Sequence, residues 1–296
     1  MKDFAGRLAV VTGGGSGMGR ELVRLLAAEG AHVAMCDVSE AAMAETAALA
    51  APPQGVRVTA HRCDVGIEAE MMRFAEEVRS AHGTGLVHLL INNAGIGGGG
   101  SFVAGNRAEW ERTFAVCWWG VYHGCRAFLP GLMAAEEGHI VNVSSINGFW
   151  GTIGPTMPNT AYVAAKFAVK GFSESLITDL RLNAPHISVS VVMPGHIGTP
   201  IVANTMKVLG YEGPAGLPAE LETMSAAFRD NAPTSAAEAA TEILDGVRDG
   251  RWRILVGDDA RGIDALVRET PEDAYELSFI QRLVAHGHLR VPGEKP

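Results

Sequence analysis

Near the start of the chain a wholly apolar run breaks into a glycine-rich turn, and that break limits the folds open to everything after it. Leu8-Ala9-Val10-Val11-Thr12 shows no polar alternation, so it suits a strand covered on both faces. Thr12-Gly13-Gly14-Gly15-Ser16-Gly17-Met18-Gly19 follows, and then Leu22, Val23, Leu25 and Leu26 recur at helical spacing up to Gly30. The glycines permit a tight turn and close backbone approach, and the N-terminus of the helix offers free N–H groups to a pyrophosphate. A glycine-rich turn by itself could be a mere loop; its place between strand and helix favours phosphate binding.

The same alternation continues. His32 to Cys36, Val56 to Arg62, Leu86 to Ile91, Gly138 to Ser144, Ser188 to Met193 and Ile254 to Val256 read as further strands. Ser39 to Leu49, Glu68 to His82, Glu109 to Met133, Ala161 to Asn183 and Ala236 to Asp249 read as helices between them. Buried strands alternating with helices predict an α/β, doubly wound Rossmann-like fold: about seven parallel strands flanked by helices, with ligands at the strands' carboxyl ends. We read residues 1–296 as one such domain, its core about 2–256. From Ile197 to Pro233 the pattern loosens, which predicts a mobile apolar lid over 197–233. Ala260 to Val267 and Glu272 to Val284 predict a C-terminal helical extension over about 257–296, frayed from His286.

The strand ends carry polar residues. Asp37 closes the second strand, where a carboxylate accepts hydrogen bonds from adenosine ribose hydroxyls and repels the extra phosphate of NADP. Its bland role is to cap the next helix. No Arg follows it, so NAD is expected in preference to NADP. Cys63-Asp64-Val65 ends the third strand, with Asp64 either at the ligand edge or in a turn. Asn92-Asn93-Ala94-Gly95 and the run Gly97 to Gly100 suit a strand end pressed against a ligand, or a flexible turn. His196, after Pro194-Gly195, reads as a pocket or turn residue.

Ser145, Tyr162 and Lys166 carry the chemistry. Tyr-x-x-x-Lys on a helix sets the phenol and the ammonium on one face, one turn apart. A phenol near pKa 10 is a poor base at neutral pH. A cation about 4 Å away, at an effective dielectric near 20, favours the phenolate by roughly 4 kcal/mol. That is about 3 pKa units, which predicts a phenol brought towards neutrality, with Ser145 holding the substrate oxygen. The alternative is a half-buried Tyr beside a solvated Lys.

Other classes are disfavoured. Net charge is −9 with no basic cluster, against nucleic-acid binding. No apolar run reaches membrane-spanning length, and Met1 to Leu8 is polar and too short for a signal peptide. Cys36, Cys63, Cys117 and Cys125 are scattered without metal-type spacing, so no metal is expected and reduced thiols in the cytoplasm are the simplest reading.

Gathered in order over about Lys2 to Val256, these residues resemble the short-chain dehydrogenase/reductase family. Thr12-Gly13, Gly17 and Gly19 fit its Thr-Gly-x-x-x-Gly-x-Gly turn. The resemblance implies cofactor contacts at Gly13, Gly15, Ser16, Gly17, Met18, Gly19, Asp37, Asp64, Val65, Asn93, Ala94, Gly95, Pro194, Gly195, Ile197 and Thr199, and at Tyr162 and Lys166. It further implies that Tyr162 is the acid/base, that Lys166 lowers its pKa and binds the nicotinamide ribose, and that Ser145 polarises the substrate oxygen. The implied activity is NAD-dependent interconversion of a small-molecule alcohol and its ketone; the alternative is a protein that binds NAD as a sensor or scaffold. Phe149, Trp150, Ile153, Met157 and the lid suggest a fairly apolar substrate. Cys117 stands where the family usually has Asn; its weak S–H donor predicts a less firm kink in the fourth helix. Thr152 to Asn159 lengthens the stretch between Ser145 and Tyr162. Members commonly associate through the fourth and fifth helices, and Trp110, Trp118 and Tyr122 cannot all face one core stripe, so a homodimer or homotetramer is expected.

Overall fold

The structure, a computed structural model, describes residues 1–152, 157–214 and 216–289. Ile153 and Pro155 of the lengthened stretch, and the tail beyond residue 289, lie outside the described residues. Strands β1 (Leu8–Thr12), β2 (His32–Asp37), β3 (Val58–Arg62), β4 (Leu89–Asn92), β5 (Gly138–Val143) and β6 (Ile187–Pro194) form the central sheet with β9 (Arg253–Val256). Two short strands, β7 (Ile197–Gly198) and β8 (Thr234–Ser235), pair separately. The helices are α1 (Gly17–Ala28), α2 (Glu40–Ala50), α3 (Glu68–His82), α4 (Arg107–Phe114), α5 (Gly120–Ala134), α6 (Thr160–Asn183), α7 (Ile201–Val208), α8 (Ala219–Asp230), α9 (Ala236–Arg248), α10 (Asp258–Glu269) and α11 (Leu277–Ala285).

The seven-stranded sheet runs β3-β2-β1-β4-β5-β6-β9, parallel throughout. The absence of polar alternation in β1 now has its cause. Ala9 and Val11 join Val33, Met35, Leu89 and Ile91 under α1 and α9, whose Leu22, Leu26, Ile243 and Val247 complete one core. Leu8 and Val10 point the other way and join Ala34, Cys36 and Leu90 under α3, α5 and α6, with Phe74, Phe128 and Val169. Successive strand residues face opposite sides, so a strand between two helical layers must be apolar at every position.

Strand order reverses between β1 and β4, the switch point at which doubly wound sheets open a crevice. The ends of β1, β2, β4, β5 and β6 all meet that edge.

Three expectations change. The single helix over Glu109 to Met133 is instead α4, a π turn at Ala115–Trp119 and α5. The loosened stretch after Ile197 holds α7 and α8; its Gly, Pro and Met content hid two short helices, of which α7 packs Val208 against the core and α8 lies against α7 and β7. The C-terminal extension holds α10 and α11, and its Ile263, Leu266, Ala274, Phe279, Ile280 and Leu283 form a third core around Trp150. Trp150 is fully buried there, and its Nε1 donates to Ala274 O at 2.8 Å. Trp150 and its partner Phe149 therefore belong to this core and not to the substrate pocket expected of them.

Candidate active site

The glycine turn is shaped by close approach. Gly13 has φ +67°, and a Cβ there would lie 2.8 Å from Ala94 Cα; one on Gly19 would lie 2.0 Å from Gly13 O. Only glycine lets the turn press against the end of β4 and lets α1 start directly beneath it. Thr12 Oγ1 accepts from Asn93 N and Ala94 N at 3.0 and 3.1 Å, and Asn93 Nδ2 donates to Thr12 O at 3.0 Å. Turn and strand end are thus one unit. Ser16, the residue before α1, places no side-chain oxygen on the first helical N–H groups, which leaves the start of α1 suited to a diphosphate. Met18 instead packs into the core. Thr199 reaches the same spot from β7: a Cβ on Gly17 (φ +53°) would meet its Cβ at 3.1 Å.

Asp37 lies beside this turn. Its Oδ2 accepts from Gly15 N at 3.0 Å and its Oδ1 from Ser39 N at 3.0 Å. Helix α2 is capped by Ser39, whose Oγ accepts from Ala42 N, so Asp37 is not the residue that caps it. Each carboxylate oxygen keeps a second lone pair for a ribose hydroxyl. Arg20 is the nearby cation, but its guanidinium is taken up by Gly15 O, Thr46 Oγ1 and Glu45.

Asp64 is less open than its sequence suggests. A two-point ion pair joins it to Arg112 of α4, with Oδ2 at 2.7 Å and Oδ1 at 3.0 Å, and Oδ1 also accepts from Gly66 N. Val65 turns its side chain onto α5, where a Cβ on Gly120 would meet it at 2.7 Å, and its carbonyl accepts from His123.

Ser145 follows β5, and its Oγ accepts from Asn147 N at 3.1 Å. Asn147 Nδ2 donates in turn to Trp150 O and Thr152 O, which fixes the loop. Ser144 Oγ donates to Lys166 O at 2.7 Å and ties the strand end to α6. Tyr162 and Lys166 share one face of α6, with Nζ 5.3 Å from the phenol ring centre. The ammonium is buried and donates to Val143 O at 2.9 Å.

The electrostatics correct one expectation. Burial pushes the Tyr162 phenol above its ordinary value, and a hydrogen bond with Ser145 only partly opposes this. Burial likewise pushes Lys166 down. The expected fall of the phenol towards neutrality does not occur in the protein alone. A cation about 4 Å from the hydroxyl at an effective dielectric near 20 would favour the phenolate, whereas Lys166 is itself desolvated and aimed at a carbonyl.

Cys117 occupies the π turn, where Gly120 N reaches back to Ala115 O. Its thiol donates to Ile96 O at 3.1 Å, so the kink forms with the weak donor in place. Gly95 lies between Cys117 Sγ and Lys166 Nζ: a Cβ there would sit 3.9 and 3.6 Å from them.

Pro194-Gly195-His196-Ile197 is braced from two sides. Asp259 of α10 accepts from His196 N at 2.6 Å, and a Cβ on Gly195 would overlap that carboxylate at 2.2 Å. The His196 ring donates to Phe228 O of α8 at 2.6 Å and packs on the Phe228 ring at 4.3 Å. Asn204 Nδ2 donates to Ser16 Oγ at 2.9 Å, and Gly97 N donates to Thr205 Oγ1 at 2.8 Å. Arg112, Asn204 and Asp259 thus touch the site and escaped the sequence reading. They are ordinary polar residues far along the chain from the motifs they contact, so no local pattern marks them.

A hollow of about 740 Å³ beside the first turn of α6 is lined by Met157, Pro158, Val163, Phe167 and Tyr275. Trp118, Trp119, Tyr122 and Phe172 make a cluster of ring contacts at the surface of α5 and α6, with Trp119 43% exposed. Trp110 stands apart: it stacks on Phe114 and bonds Thr160. Among the described residues no cluster of potential metal ligands occurs, and no helix is long and apolar enough to cross a membrane.

Comparison with known proteins gives the same outline. The sequence model for short chain dehydrogenase matches residues 7–209. A Mycobacterium tuberculosis protein named as an oxidoreductase, SadH, is 36% identical over 288 residues, which is 97% of each chain. A short-chain dehydrogenase/reductase from Burkholderia phymatum, solved in complex with NAD, superposes with a TM-score of 0.77 at 30% identity, covering 100% of this chain and 99% of that one. A metagenomic short-chain oxidoreductase solved with NADP has a TM-score of 0.56 at 31% identity, covering 73% of this chain and 96% of its own.

Proposed function

We propose that this chain, which belongs to the short-chain dehydrogenase family of oxidoreductases, interconverts a fairly apolar secondary alcohol and its ketone with NAD as the preferred cofactor. The observation that carries the reading is the convergence of Ser145, Tyr162 and Lys166 at the carboxyl edge of the sheet, beside the crevice between β1 and β4. The residues fit a dinucleotide. Gly13 and Gly17 make a turn that a Cβ would fill, the start of α1 is open to a diphosphate, and Asp37 stands at the ribose position. When bound, the nicotinamide supplies or accepts the hydride. The protein's part is to orient the substrate and to move a proton at the Tyr162 oxygen.

In ketone reduction the Tyr162 hydroxyl donates its proton to the developing alkoxide, and Ser145 Oγ–H donates a hydrogen bond to the same oxygen. In alcohol oxidation Tyr162 must first be a phenolate, and Lys166 is the cation placed to favour it. Gly13, Gly15, Ser16, Gly17, Met18 and Gly19 contribute mainly backbone to the cofactor, and Asn93, Ala94, Gly95, Pro194, Gly195, Ile197 and Thr199 line its nicotinamide half. Asp64 and Val65 serve the adenine, with Asp64 held in place by Arg112. Met157 beside α6, with Val163 and Phe167 on it, supports a preference for apolar substrates. We take 1–296 as a single domain, and the surface rings of α5 and α6 as a homodimer or homotetramer face, which light scattering at micromolar concentration tests. Four buried free thiols are consistent with a cytoplasmic setting.

Tyr162→Phe is the decisive variant. Turnover on a panel of alcohols and ketones should fall by about 10²–10⁴-fold, with NADH fluorescence titration near wild type. Retention of most activity would reject the acid/base role. A wild type that binds NADH yet converts nothing in the panel would favour a sensor.

A further inference from the structure

The end of β4 runs on into Gly97-Gly98-Gly99-Gly100, and the contacts of this run identify what it serves. Helix α6 begins at Thr160, and Asn159 before it makes no side-chain capping bond. The first N–H groups of a helix have no intrahelical partner. Here Thr160 N donates to Gly100 O at 3.0 Å and Ala161 N to Gly99 O at 3.3 Å. Thr160 Oγ1 donates to the same Gly100 carbonyl at 3.0 Å and accepts from Trp110 Nε1 at 3.1 Å. Gly99 has φ +71°, and a Cβ there would lie 2.5 Å from Ala161 Cβ and 3.0 Å from Trp110 Cα. Any other residue would have to push the loop and the helix apart.

We propose that Gly99 and Gly100 are the N-terminal cap of the helix that carries Tyr162, and that this backbone cap positions the phenol. Tyr162 follows Ala161 directly, so its Cα is held by the turn that the loop clamps. The glycines touch neither substrate nor cofactor in this role; they are positioning residues, and the idea rests on the reading of Tyr162 as the acid/base. To the sequence readings of the run, ligand contact or flexible turn, this adds a third: glycine is needed at position 99 because the loop lies flat on a helix start.

The test compares Gly99→Ala, the double variant Gly99→Ala/Ala161→Gly, Thr160→Val and Gly97→Ala. A Cβ on Gly97 would meet only Thr205 Oγ1, at 4.0 Å, so that variant perturbs the loop without touching α6. Three readouts are taken on the full chain: amide hydrogen exchange of residues 160–163, NADH affinity, and turnover. Gly99→Ala is expected to speed exchange at the start of α6 and to cut turnover on the order of a hundredfold, the cost of a displacement near 1 Å, with NADH affinity near wild type. The double variant should recover part of both, because it removes the clash with Ala161 Cβ but leaves the contact with Trp110 Cα and the positive φ. Thr160→Val should speed exchange by a smaller factor, and Gly97→Ala should leave it unchanged. The proposal is overturned if exchange in Gly99→Ala and Thr160→Val stays as slow as wild type, or if Gly97→Ala speeds it equally. Should Gly99→Ala not fold, Thr160→Val alone decides, on the same criterion. Exchange does not depend on turnover, so loss of the acid/base reading through an active Tyr162→Phe would leave this result standing by itself.

Discussion

Asp37 should set the choice between NAD and NADP, and the structure gives the size of the effect. Its carboxylate is fixed by Gly15 N and Ser39 N, each at 3.0 Å, so it cannot swing away from a phosphate on the ribose 2′ oxygen. Two unit charges about 5 Å apart at an effective dielectric of 20 to 40 repel by about 1.5 to 3 kcal/mol. That is roughly a tenfold to a hundredfold preference for NADH over NADPH. Arg20, the cation beside the turn, is engaged by Glu45 and offers little compensation. Fluorescence titration with each cofactor measures the ratio. At 1 M salt the screening length shrinks to about 3 Å, so the ratio should narrow. Asp37→Asn keeps an acceptor for Gly15 N while removing the charge; it should bring the two dissociation constants together mainly by improving NADPH. Asp37→Ala also strips two backbone N–H groups of their acceptor and should weaken both cofactors. Equal wild-type dissociation constants, or a ratio untouched by Asp37→Asn, would refute the argument.

Three further outcomes follow from the packing and the titrations. Because burial holds the Tyr162 phenol above its ordinary value, phenolate is scarce at neutral pH; alcohol oxidation should quicken steadily from pH 7 to 9 while ketone reduction does not, and an oxidation rate that falls over that range would contradict it. Trp150→Ala should destabilise the chain by about 3–5 kcal/mol in denaturant unfolding, the usual loss for a large aromatic fully removed from a core; a change below about 1 kcal/mol would mean that the third core adds little. His139, buried against Ser190, is lowered to about 3 by desolvation. Between that value and the unfolded value near 6.5 the unfolded chain binds the extra proton, so stability is full above about pH 6.5 and falls by about 1.4 kcal/mol per unit as pH drops. His139→Gln should flatten that slope by about one proton; an identical slope would rule His139 out as its source.

How much of this was legible in the sequence depended on how local its cause was. The parallel sheet could be read because β1 and β4 are apolar up to their last residue and β6 nearly so, a mark of two covered faces. Asp37, Ser145, Tyr162 and Lys166 could be placed because strand ends and helical spacing fix their neighbourhoods. Trp150 was misread because its partners, Ala274 and Phe279, lie more than a hundred residues on, and nothing near it distinguishes a pocket wall from a second core. Asp259 was invisible for the same reason, although it receives the His196 N–H. The helices α7 and α8 were missed because eight and twelve residues between Gly- and Pro-containing loops give too few turns for a period to stand out.

The burial of Tyr162 and Lys166 explains why their spacing alone could not give a pKa. Helical geometry brought the two to one face, as the sequence required, but both are drawn out of water, and desolvation works against either charge taken singly. A phenolate and an ammonium formed together are less costly than either alone, since each supplies the counter-charge that water no longer does. Val143 O, which takes the Lys166 ammonium at 2.9 Å, favours the charged lysine and so, through it, the phenolate. The end of β5 thus carries Ser145 beside Tyr162 and, two residues earlier, the carbonyl that holds the Lys166 ammonium.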